Sequence, residues 1–369
     1  MTVMEMENKN SMDWILFLTT LILVLFGFIM VYSASYPEGY YNFNGDGFFF
    51  FRKQVTAGVA GIATLVLASF IDYRIYRALN KLIFLITIVA TLSLFTAYGT
   101  EAYGAQRWIS IGGLNIQPSD IIKVTAVMFM AYFLEKHNSK IKTFISGYIP
   151  VFLLILFFSG IIFIQNDLST SFVMAMTLGV MFFCAGANLF HILLTIAGGI
   201  ASIAYLIINE PYRTLRIISF LDPFKYKSSY GWQVVQSIYA LGTGGLFGMG
   251  LGQSRQKFFY IPLAYNDFIF SIIGEELGFV GAFIVMAFYI VIIWRGLRIA
   301  INAKDQFGAF LAIGITSLIA IQTLVHIAVV TSSMPPTGIV LPFISAGGTS
   351  LLIFMGAVGI LLNISKKSI

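Results

Sequence analysis

Apolar and polar positions in this chain alternate in blocks rather than residue by residue. Ten runs of about 18–25 mostly apolar residues stand out, centred on 14–34, 51–70, 81–98, 118–134, 146–164, 168–186, 189–207, 267–294, 307–330 and 343–364. A helix rises about 1.5 Å per residue, so each run can cross a hydrocarbon layer of about 30 Å. Inside that layer backbone groups find no water and must be paired within the segment, which a helix achieves. The blocks predict an all-α polytopic membrane protein with about ten transmembrane helices, a single domain over residues 1–369. Polar tails, 1–13 and 365–369, flank the set, and one long loop, 208–266, separates helices 7 and 8. The fifth, sixth and seventh runs are divided only by Gln165–Asp167 and by Ala185–Asn188.

Composition excludes a soluble alternative. Hydrophobic residues make up 58% of the 369 and charged residues 10%, with a mean hydropathy of +0.88, a set from which no water-facing surface could be built. Charge gives the direction of threading. With residues 1–13 in the cytoplasm, the inside loops carry Arg74, Arg77 and Lys81, then Lys136, Lys140 and Lys142, then Arg295, Arg298 and Lys304, and finally Lys366 and Lys367. The short outside loops hold few cations besides Arg52, Lys53 and Arg107, as the positive-inside rule requires. Both termini are then cytoplasmic and loop 208–266 is extracytoplasmic, where its length lets it translocate despite its basic residues. The first run lacks a small-residue cleavage site and is expected to remain as a helix. The net charge of +6 follows from this topology, so no nucleic-acid partner is expected. Cys184 alone offers no disulfide, and His137, His191 and His326 have no metal-ligand spacing.

The polar residues that topology leaves unexplained fall in five blocks. In Arg107-Trp108 through Pro118-Ser119-Asp120-Ile-Ile-Lys123, Pro118 and Asp120 suit a helix start and Asp120 can pair with Lys123 at i, i+3. An ion pair at membrane depth serves either packing or function. Asp167 reads as a helix N-cap or as one wall of a polar cavity. The stretch Gly242–Gly252 carries no P-loop spacing; it is a flexible loop, or a backbone that brings Arg255 and Lys257 to phosphate oxygens. Asp267, Glu275 and Glu276 crowd the start of the eighth run, and Asp267 at its mouth is either a cap or a general base. Three prolines and three glycines within Met334–Ser350 break helix continuity, which the membrane tolerates only where the backbone is buried in protein or lines a wet cavity.

In this order the blocks resemble the SEDS (shape, elongation, division and sporulation) family of membrane peptidoglycan glycosyltransferases, across nearly the whole chain. The wording of Gly244–Pro262 is similar to the division and sporulation branch, FtsW and SpoVE, more than to the elongation branch, RodA. The resemblance makes Asp267 the counterpart of the family's essential aspartate, and matches Arg107, Trp108, Asp120 and Lys123 to its first outer loop and its acid–lysine pair. Here Tyr265 and Asn266 replace the usual His and Thr, Asp120 replaces Glu, and His326-Ile-Ala replaces Asn-Ile-Gly.

What the resemblance implies is a polymerase in the bacterial cytoplasmic membrane that extends an undecaprenyl-linked glycan with lipid II, its active site on the outer face. Asp267 would take the proton of the acceptor 4-hydroxyl in an inverting transfer that forms a β-1,4 bond. Arg213, Arg216, Arg255 and Lys257, with Arg107 behind them, would meet the pyrophosphate. A divalent cation could share that task, although the sequence shows no dedicated cage for one. The implied partners are a class B penicillin-binding transpeptidase and other division proteins. A lipid II flippase and a non-catalytic division scaffold are the alternatives, since intramembrane charges and broken helices suit transport as well.

Overall fold

The computed structural model describes residues 11–95, 99–102, 105–111, 114–209, 211–229 and 231–367. Helices α1 (Trp14–Asn42), α2 (Phe49–Phe70), the short α3 (Tyr73–Ala78) and α4 (Asn80–Leu92) lead to a small antiparallel sheet, β1 (Gly99–Ala102), β2 (Ala105–Ile111) and β3 (Leu114–Ile116). Next come α5 (Pro118–Lys136), α6 (Ile149–Ile164), α7 (Leu168–Cys184) and α8 (Leu189–Ile208). The shorter α9 (Pro211–Leu221), α10 (Trp232–Gly244) and α11 (Ala264–Asp267) precede α12 (Ile269–Ile301), α13 (Gln306–Val330) and α14 (Gly348–Lys366).

Among the described residues, six helices are long and apolar enough to cross a membrane: α1, α2, α6 with the turn that precedes it, α12, α13 and α14. Three shorter apolar helices, in α4, α7 and α8, also match predicted runs. The remaining run is α5, which carries Asp120, Lys123, Glu135 and Lys136 yet is buried along most of its length. The chain is a multi-pass membrane protein, all-α apart from the small sheet.

At one end of the bundle, capping ties distant helices together. Asp13 caps α1 by accepting from Leu16 N at 3.0 Å, and its carboxylate also pairs with Arg295 of α12 at 2.7 Å. Asp305 caps α13 through Gly308 N at 2.7 Å and accepts from the Tyr73 hydroxyl at 2.6 Å. The side-chain Oδ1 of Asn363 on α14 in turn accepts from Tyr73 N at 2.9 Å. Arg74, Arg295, Lys366 and Lys367, from three of the basic clusters, make their contacts at this end.

Without a hydrophobic drive between helices in lipid, close backbone approach supplies the packing. Against α2, Gly359 of α14 leaves no room, since a Cβ there would lie 2.4 Å from the Leu65 carbonyl oxygen. A backbone carbonyl cannot rotate aside. Gly359→Leu is expected to destabilise the fold by about 3 kcal/mol, the upper range for overpacking, read as a lower thermal midpoint in detergent.

The loop predicted between helices 7 and 8 is not an open one. Within it α10 packs into the bundle: Ser237 donates to Val330 O at 2.6 Å, so Ser271 Oγ, 2.7 Å away, donates to Ser237. The glycine-rich stretch after α10 then docks on a break in α12. Gly278 sits there at φ 69°, ψ −169°, a left-handed conformation that an L side chain resists. The interrupted helix is repaired by the loop's backbone. Met249 N and Gly250 N donate to the carbonyls of Glu275 and Glu276 at 2.9 and 3.0 Å, and Phe279 N and Val280 N donate to those of Gly245 and Leu246 at 2.9 and 3.1 Å.

Candidate active site

The site lies where the irregular segment 331–347 crosses α11 and α13. That segment has no ladder of its own, and buried side chains satisfy it. Gln54 of α2 donates to Ser345 O at 3.1 Å and accepts from Gly347 N at 3.3 Å. Ser345 Oγ donates to Asn266 O at 2.7 Å, Ala346 N donates to Tyr265 O at 3.0 Å, and the Tyr289 hydroxyl donates to Pro342 O. These bonds tie the segment to α2, α11 and α12. The chain breaks between α11 and α12 at Phe268, φ −127° and ψ 23°, which turns Asp267 off the α12 axis. Its carboxylate rests against Gly338, where a Cβ would lie 3.4 Å from Oδ2.

Charges from three other elements converge on Asp267. Arg107 of β2 reaches Asn166 O and comes within 3.9 Å of Asp167. Asp167 caps α7 by accepting from Thr170 N at 3.0 Å and Thr170 Oγ1 at 2.9 Å. From α9, Arg216 donates to Pro336 O at 3.3 Å. Burial pushes the Asp267 carboxyl up to about 7, and Asp167 pushes the same way against the pull of Arg107 and Arg216. A carboxylate held near neutrality is matched to proton abstraction.

Beside it opens a small polar recess lined by Gln117, Asp120, Lys123, Thr170, Gln322 and Gly338, among others. Lys123 is buried there, 2.8 Å from Asp120 and donating to Gln322 Oε1 at 3.1 Å. Gly338 belongs to both places, walling the cleft and backing Asp267. The arrangement offers one carboxyl held near neutrality, two guanidinium groups and a polar, hydrogen-bonding recess. Among the described residues no group of three or more His, Cys, Asp or Glu is placed to hold a metal ion.

Residues 13–369 match the family model of FtsW, RodA and SpoVE, described as cell cycle protein. The chain belongs to this family. It is 43% identical to stage V sporulation protein E of Bacillus subtilis (strain 168) over 98% of this chain and 99% of that one. It is 40% identical to the probable peptidoglycan glycosyltransferase FtsW of Geobacter sp. (strain M18), again over 98% and 99%. Its fold matches a chain of a peptidoglycan synthase complex that coordinates polymerization and crosslinking, with a TM-score of 0.80 at 24% identity over 97% and 98%. RodA of Thermus thermophilus matches with a TM-score of 0.72 at 23% identity over the same shares.

In this FtsW/RodA/SpoVE chain the residues singled out from sequence separate into groups. Asp267, Arg107 and Arg216 come together, and Asp120 with Lys123 lines the adjoining cleft. Trp108 is half-buried on β2, paired with Thr100 of β1. Arg213 falls in α9, but its side chain lies outside the described residues. Arg255 is exposed, and its backbone N–H donates to Glu275 at 3.0 Å. Lys257 is turned inward: its Nζ is 2.9 Å from Glu276, 3.1 Å from Ser33 Oγ and 2.7 Å from Gly252 O. Glu275 and Glu276 therefore hold the glycine-rich loop to α12 rather than joining Asp267. Asp167 is both a cap and a charge facing Asp267. Gln322 and His326 carry one sequence signal, an i, i+4 pair of polar residues in the apolar run of α13, and Gly338 carries none beyond its place among the helix-breaking residues.

Proposed function

We propose that this chain polymerises peptidoglycan, transferring the growing glycan from undecaprenyl pyrophosphate to the 4-hydroxyl of lipid II. The observation that carries the reading is Asp267, set beside a polar cleft and faced by Arg107 and Arg216. As the acceptor oxygen attacks the donor's anomeric carbon, its proton passes to the Asp267 carboxylate. The new C–O bond forms with inversion while the bond to the pyrophosphate oxygen breaks, and the leaving group departs with the electron pair. Arg107 and Arg216 are suited to stabilise that charge. Lys123, braced by Asp120 and Gln322, presents a fixed cation to the recess.

The names of the FtsW relatives and the synthase complex with the same fold support this reading. They also favour a transpeptidase partner that crosslinks the nascent strand, in division or sporulation. The positive-inside pattern puts both termini in the cytoplasm and Asp267 at the outer leaflet of the cytoplasmic membrane.

The test supplies purified protein, alone and with a class B transpeptidase, with labelled lipid II already accessible in detergent. Polymer supports the enzyme. Lipid II left intact under every partner condition, with scrambling in vesicles, would establish a transporter instead. A base whose carboxyl is raised to about 7 also dictates a pH profile. Only the deprotonated form accepts a proton, so kcat/KM is expected to rise with pH and level off above about 7, measured as initial rates of polymer formation across that range.

A further inference from the structure

Two buried side chains one turn apart on α13 hold consecutive carbonyls of the irregular segment. Gln322 Nε2 donates to Val340 O at 2.9 Å, and His326 Nδ1 lies 2.7 Å from Ile339 O. A carbonyl oxygen only accepts, so Nδ1 carries the hydrogen. The neutral ring then keeps its lone pair on Nε2, an atom that is buried and has no hydrogen-bonding partner among the described residues. Whatever His326 contributes, it contributes through Nδ1.

The Ile339 carbonyl adjoins the catalytic geometry. Gly338, one residue earlier, backs the Asp267 carboxylate, and Pro336 O receives Arg216 at 3.3 Å. Residues 336–340 thus form a backbone strip along which the cation, the base and the cleft are registered. An irregular strip of this kind has no ladder of its own, so the donors that reach its carbonyls help to set its position. Removing the donor beside Gly338 leaves a buried carbonyl unpaired, and the strip shifts to find another partner.

We propose that His326 is a positioning residue for Asp267, its Nδ1–H fixing the Ile339 carbonyl and with it the Gly338 backbone that the carboxylate rests on. The rate measurement that follows rests on the polymerase reading; a second readout does not.

Two variants separate the roles of the ring atoms. His326→Leu removes both nitrogens, whereas His326→Asn keeps an amide N–H close to the position of Nδ1 and nothing at Nε2. With lipid II and the transpeptidase present, His326→Leu is expected to lower kcat about 10- to 100-fold with KM changed less than about twofold, the pattern of a displaced reacting group rather than lost binding. His326→Asn is expected to return kcat to within about threefold of the wild type. The substrate-free readout is modification of Asp267 by a carbodiimide, quantified by mass spectrometry against pH. Asp167, Arg107 and Arg216 face this carboxyl in all three proteins, so a shift of its midpoint in His326→Leu, reversed in His326→Asn, reports its placement. Wild-type kcat and midpoint in His326→Leu overturn the proposal, as does His326→Asn proving no better than Leu. If His326→Leu does not fold, His326→Asn decides alone: retained rate and midpoint support the proposal, and their loss overturns it. A wild type that makes no polymer removes the polymerase reading and leaves the carbodiimide midpoint to judge His326.

Discussion

Asp267→Asn is expected to reduce lipid II polymerisation by at least about 10²–10⁴-fold, the range for loss of a positioned base. Asparagine has nearly the same shape and can still lie against Gly338, but it cannot accept the acceptor sugar's proton. Arg107, Arg216 and the cleft remain, so lipid II binding should persist while turnover stops. The stability of this variant gives an independent check. The folded Asp267 holds its proton up to about 7, above the ordinary 3.8, so the native state binds more protons than the unfolded chain within that window. Stability contributed in this way is present at low pH and lost as pH rises through about 7. Asp267→Asn escapes the loss, and above neutrality its thermal midpoint should equal or exceed that of the wild type. A variant that is both inactive and much less stable at alkaline pH would point to a structural role instead.

Breaking the Lys257–Glu276 pair should have the largest effect on folding. Both side chains are almost fully buried, 2.9 Å apart, and Ser33 Oγ donates to Glu276 at 2.7 and 2.8 Å. Glu276→Ala leaves a buried ammonium unmatched, and Lys257→Ala leaves a buried carboxylate, each expected to cost about 3–5 kcal/mol. Replacing both at once, Lys257→Ala with Glu276→Ala, removes the charges together and should cost much less than the two single changes combined. Thermal unfolding of the four proteins in one detergent measures the coupling. Additive losses would mean that the pair does not act as a unit.

The spans could be read because a bilayer imposes one length and one polarity, which is why even α5, interrupted by charge, was found. Pro118 and Asp120 marked its start, and Asp13, Asp167 and Asp305 are caps of the expected residue types. The sheet was not anticipated, although Gly112-Gly113 between Arg-Trp-Ile-Ser-Ile and Leu-Asn-Ile is a hairpin signal. At the site, Asp267 is conspicuous because a carboxylate at a membrane boundary has few inexpensive explanations. Lys257 and Arg216 look alike in sequence, as cations in one polar stretch. What separates them is long-range: Lys257 meets Ser33 from α1, and Arg216 meets Pro336 beyond α13. Local spacing carries no information about either contact. The same holds for His326, whose partner carbonyl belongs to a segment with no periodicity from which its path could be read.

The break at Gly278 also bears on how the protein is made. Ile269–Leu277 is too short to cross the bilayer, and its last carbonyls find partners only in the stretch that the ribosome produces just before it. Until residues 245–257 have folded back, this half-span would carry bare amide groups and two acids into oil. Residues 279–301 keep the length to cross on their own, so the returning stretch is needed to seat the outer half-turns, and cleavage between the two segments would leave the four backbone groups at the break without partners.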